Sequence, residues 1–190
     1  MRSLPLVLCV GLLSLCRPAL AQNSPPGHAA TPAKPGAQTS FDALKGLAGA
    51  WSGTVKTDPT NADLDGPIQV TMRVASHGNL LVHEIAPGGV PEPTLIYLEG
   101  DRLTLIHYCE AGNRPRMVAR RSRDPKIADF EFADISGSTR PLYLRHFLFT
   151  LLDASHHTED WTFVLQNNTQ LHAHFDLKRT HGRSRRPPAK

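Results

Sequence analysis

The sequence predicts an all-β protein, with about ten antiparallel strands closing into an up-and-down barrel behind a short N-terminal helix. Three observations predict it. From Trp51 onward the apolar residues recur at every second position, the period of a strand with one buried face. The apolar runs are short and joined by Gly, Pro, Asn and Asp turns, which makes consecutive strands antiparallel neighbours in a sandwich or a meander. A meander this long exposes two edges if it stays open, and closure into a barrel removes them.

The elements follow in order. Residues 1–21 read as a secretory signal, with Arg2 as the positive start and an apolar run over 4–16 too short to span a membrane. Ala19-Leu20-Ala21 has the small-x-small pattern of a cleavage site, so the reading is export to the periplasm or beyond, with Gln22 first in the mature chain. Residues 22–38 are rich in Pro, Ala, Gly and Ser and read as a disordered linker. Ser40 can cap a short helix carrying Phe41, Leu44 and Leu47 at helical spacing, with Gly46 and Gly49 ending it. Strands are expected over 51–55, 68–74, 80–85, 94–98, 103–109, 116–121, 127–133, 142–152, 160–165 and 171–179. Glu99-Gly100-Asp101 reads as a tight turn, His156-His157 as part of another, and Asn167-Asn168-Thr169 fits a glycosylation sequon but reads as a hairpin turn. The barrel domain is therefore 39–179, and 180–190 is a basic, disordered tail.

Charge and cysteine content narrow the function. Between the signal and residue 178 there are 13 Lys and Arg against 17 Asp and Glu, so the sequence pI of 9.2 comes from the ends. A mildly acidic body is not that of a specific nucleic-acid-binding domain, although the tail can touch polyanions or anionic lipid weakly. Cleavage of the signal removes Cys9 and Cys16, leaving Cys109 with no intramolecular disulfide partner, either buried or reactive. Nothing in the sequence specifies an oligomeric state.

The densest chemistry lies in His107-Tyr108-Cys109-Glu110-Ala111-Gly112-Asn113-Arg114-Pro115-Arg116-Met117. If Leu103 and Leu105 face inward, alternation takes His107 and Cys109 inward with them, near one end of the barrel. The same argument points Glu84 inward with Leu80 and Val82, His146 with Leu144 and Leu148, and Trp161 with Phe163 and Leu165. Two readings compete. In one, an apolar cavity binds a small molecule oriented by Glu84, His107, Cys109, Asn113, Arg116 and His146, with Trp51 and Trp161 as walls. In the other, Arg116 pairs with Glu84 and Asn113 caps the turn, giving a polar network that pins the barrel's end.

Two further classes are weaker. A cofactor-independent enzyme would use Cys109 and His107, yet side chains two apart on a strand are ~7 Å apart, and no oxyanion hole, phosphate loop or nucleophile elbow is visible. Ten histidines raise a metal or haem site, but His172 and His174 fall on the solvent face and no third ligand is fixed by spacing. No cofactor is called for.

A short helix followed by Gly49-Ala50-Trp51 at the first strand, with Arg179 ending the last, resembles the calycin superfamily of lipocalins, fatty-acid-binding proteins and nitrobindin-like barrels. The resemblance implies that Trp51 closes the barrel floor and that Arg179 lies across its face, a contact contributing ~0.5–2 kcal/mol. The run His-Tyr-Cys-x-x-Gly-Asn-x-Pro-Arg-Met, with Phe130/Phe132 and Trp161-Thr162, resembles a group of secreted bacterial proteins of uncharacterised function. The chain departs from lipocalins in lacking a disulfide and their second and third motifs, and from nitrobindins in lacking an alignable haem-ligand histidine.

Overall fold

A computed structural model of the chain describes residues 35–138 and 142–180. The expected signal at 1–21, most of the expected linker and the tail from 181 lie outside the described residues.

Ten strands form a closed antiparallel barrel: β1 (Gly49–Asp58), β2 (Gly66–Ala75), β3 (Leu80–Ile85), β4 (Glu92–Glu99), β5 (Arg102–His107), β6 (Asn113–Ala119), β7 (Ile127–Gly137), β8 (Tyr143–Asp153), β9 (His156–Val164) and β10 (Gln170–Arg179). Each pairs with its chain neighbours, and β1 pairs with β10 to close the ring. Inward positions carry the core: Leu103 and Leu105 on β5, Phe147 and Phe149 on β8, Phe175 and Leu177 on β10.

Helix α1 (Pro35–Lys45) begins inside the stretch expected to be linker. Proline is suited to a first helical turn, because the N–H it lacks would have had no intrahelical partner there. The helix buries Phe41 and Leu44, and Leu47 just beyond it, so its amphipathic face plugs one end of the barrel.

That plugged end is where β1 begins and β10 ends. Trp51 is buried there and donates its indole N–H to Leu47 O at 2.8 Å. Arg179 lies over the Trp51 ring at 4.4 Å and donates to the carbonyls of Gly46, Ala48 and Ala154. The stacking implied by the calycin resemblance is present as geometry. Gly49 permits it: its φ is +144°, and a Cβ there would sit 2.6 Å from an Arg179 guanidinium nitrogen.

Three registers differ from the sequence expectation. On β3 the inward residues are Leu81, His83 and Ile85, so Glu84 sits on the opposite face. Apolar residues occupy both faces of this strand, and alternation alone could not choose between them. On β8 a bulge between Leu144 and His146 keeps Leu144 inward and then brings Phe147 and Phe149 inward, turning His146 outward. Finally, β9 begins at His156 rather than Asp160, which draws His157 and Glu159 into the barrel instead of leaving His157 in a turn.

Candidate functional site

The end opposite α1 is built from the β1–β2, β3–β4, β5–β6 and β9–β10 connections and the entry to β8. A cavity of about 280 Å³ opens there. Its walls are apolar, chiefly Ile68, Ile85, Trp161, Phe163, Leu171 and Phe175. Its polar edge is Glu92, Cys109, Glu110 and Asp63.

The β5–β6 turn positions the rim. Tyr108 N–H donates to Pro93 O, Cys109 N–H to Asn113 O and Gly112 N–H to Cys109 O, so the turn is tied to β4 and to its own far strand. Asn113 is fully buried and donates its side-chain amide to Leu142 O at 2.6 Å, fastening β6 to the segment that enters β8. It supports the rim and does not line the cavity.

His107 stands behind the rim. It is fully buried, shares a 2.9 Å hydrogen bond between Nδ1 and Thr94 Oγ1, and packs edge-on against Trp161 at 5.4 Å. Its Nε2 is 3.5 Å from Glu92 Oε2, an ion-pair separation whose alignment falls short of a hydrogen bond. Burial pushes its pKa below the usual 6.5, outweighing the pull of Glu92. The Cys109 thiol, partly buried at the rim, is pushed up to about 12, chiefly by burial. Burial thus favours the thiol over the thiolate that a Cys109–His107 enzyme would use.

Beneath Trp161 lies a polar cluster that the sequence reading missed. Glu159 is completely buried. It accepts hydrogen bonds from Trp161 Nε1 at 3.0 Å, His157 Nε2 at 3.0 Å, and His83 Nε2 at 3.1 and 3.2 Å. Burial raises its proton affinity, but the electrostatic pull of His83 and the hydrogen bonds from His157 and His83 prevail and hold its pKa down to about 2. His157 in turn packs edge-on against Trp51 at 4.3 Å, so the cluster links the cavity floor to the plugged end. The signal for it was the spacing His157, Glu159, Trp161, Phe163, which extends the inward face of β9 by two residues.

The eight sequence-predicted site residues therefore separate. Trp161 and Cys109 line the cavity, with His107 directly behind and Asn113 bracing the rim. Trp51 lies at the other end, in the floor. Glu84 is on the outward face of β3. Arg116 is on the barrel's outside, where it forks onto Asp134 and reaches Glu99 instead of pairing with Glu84. His146 is also outside, 2.6 Å from Asp129. Glu92 and Thr94, absent from the expected set, take the place of Glu84 beside His107.

Outside the barrel, Asp129, Glu131 and His146 bring one ligand atom each within 4.8 Å of one another. They could hold a metal ion, although Arg120 already pairs with both carboxylates. A second depression, of about 450 Å³, lies beside the first turn of α1 and carries Arg102, Arg120, Arg121 and Arg123. Arg102 is within ion-pair distance of Glu99, and Arg120 of Asp129 and Glu131.

No protein-family model matches the chain, and no curated protein does. Among solved structures, the chain is similar to Rv2717c from M. tuberculosis, with a TM-score of 0.56 and 13% identity over 75% of this chain and 98% of that one. It is also similar to a protein of unknown function from the DUF3598 family of Nostoc punctiforme, with a TM-score of 0.50 and 8% identity over 72% of this chain; the match spans about half of that longer protein, 48%. At these identities the likeness is one of barrel fold.

Proposed function

We propose that the chain is an exported binding protein that holds a small apolar or amphipathic molecule in the open end of a calycin-like barrel. One observation carries the reading: an aromatic and aliphatic cavity of about 280 Å³ opens to solvent at that end, with a few polar groups at its edge. Ligand sites are commonly of this kind, apolar with a small number of orienting polar groups. A barrel interior that served stability alone would be filled by side chains to its ends. Trp161, Cys109 and Glu92 contact the ligand in this reading, and His107 and Asn113 position them. The Trp51–Arg179 contact supports the calycin comparison, and export rests on the pattern of residues 1–21. The reading needs neither haem nor metal.

Native mass spectrometry of protein purified from its own host tests it. The expected spectrum shows a mature chain beginning at Gln22 with a small non-covalent adduct, and that adduct names the ligand class. A protein that carries no adduct and leaves the fluorescence of lipophilic probes unchanged is not a binder of this kind.

A further inference from the structure

Building on that binding reading, we infer that the cavity selects an organic cation, an apolar body carrying a protonated amine, over a carboxylate or a neutral analogue. The charged groups that line the cavity share one sign. Glu92, Asp63 and Glu110 all border it, and no Lys, Arg or His is among its described lining residues. Glu92 is the inner one, its side chain only 14% exposed. The one ionisable side chain within ion-pair distance of it among the described residues is His107, and burial lowers that imidazole's pKa below the usual 6.5, which favours its neutral form. The 3.5 Å approach of Nε2 therefore leaves a nearly enclosed carboxylate without a cation.

An enclosed carboxylate facing an apolar cavity is stabilised by a cation far more than one in bulk water would be. An ammonium group entering the cavity meets the Glu92 carboxylate and the Trp161 ring together, and an aromatic wall adds attraction for a cation. A fatty-acid carboxylate at the same place meets like charge from Glu92 at depth and from Asp63 and Glu110 at the mouth. The apolar walls would accept either tail, so the head group decides.

Calorimetric titration of the full chain at neutral pH with octylamine, octanoate and octanol separates the possibilities. The expected result is octylamine binding at least about tenfold more tightly than octanoate. Glu92→Gln brings the ratio towards one, whereas Glu92→Asp, which keeps the charge, retains the preference. Octanoate binding as tightly as octylamine, or a preference that survives Glu92→Gln, overturns the inference. Equal binding of all three leaves the apolar-binding reading standing and removes charge selection. Binding of none removes both.

Discussion

Glu159 is where a single residue most strongly conditions the rest. A buried carboxylate is tolerated because three side chains supply four hydrogen bonds to it. Glu159→Gln keeps the shape but removes the anion both imidazoles address, and should cost about 3–5 kcal/mol in urea unfolding. Acid dependence follows from the same geometry. The Glu159 pKa falls from an ordinary 4.5 to about 2 on folding, so its contribution is complete above 4.5 and is lost as pH drops towards 2. His107 acts earlier. Burial lowers its pKa from 6.5, so the unfolded chain binds that proton more readily and stability declines as pH falls below 6.5. Urea midpoints should thus fall in two stages from neutral pH down to about 3, and Glu159→Gln should shrink the lower stage and leave the upper one in place. Cys109, with its thiol pushed up to about 12, should react with iodoacetamide at neutral pH much more slowly than after unfolding.

At the scale of elements, the seam between β1 and β10 closes the barrel, and two residues control it. Gly53 pairs with Leu177, and a Cβ at Gly53 would fall 1.7 Å from the Asp176 carbonyl oxygen. Because the obstacle is backbone, Gly53→Ala must move a strand, and the expected loss is about 1–3 kcal/mol or more in thermal melts. Arg179→Lys should cost about 1–2 kcal/mol, since one ammonium cannot replace a guanidinium that reaches three carbonyls while lying over Trp51. The Trp51–Arg179 part of this seam was legible through the Gly49-Ala50-Trp51 motif and the closing arginine that carry the calycin resemblance. The ten strands were legible because alternation and turn residues act over a few positions at a time. The facing of β3 and β8 was not. Leu80 and Val82 match Leu81 and Ile85 in polarity, so register there is set by pairing with β2 and β4. The β8 bulge that turns His146 outward leaves no mark in the apolar pattern. Of the expected site, Trp161, Cys109 and His107 were found from the strand period. Glu92 and Glu159 were missed because a charged residue near a strand's end reads as a solvated terminus until its neighbours are known.

For the whole molecule, the two ends of the barrel do different work, and the two tryptophans report on them separately. Trp51 is sealed beneath Arg179 and against Leu47 at the plugged end, while Trp161 forms part of the cavity wall at the open one. A ligand entering the cavity changes the surroundings of Trp161 and leaves those of Trp51 as they were. Binding also stabilises the folded chain by mass action, about 2.7 kcal/mol at a ligand concentration a hundred times Kd. The expected outcome is a joint one: lipophilic ligands that raise the melting temperature also shift the intrinsic fluorescence, and the shift persists in Trp51→Phe but vanishes in Trp161→Phe. A fluorescence change carried by Trp51 instead would place the ligand at the helix-plugged end. A rise in melting temperature with no change from either ring would place it outside the barrel, since a molecule filling the cavity must touch Trp161.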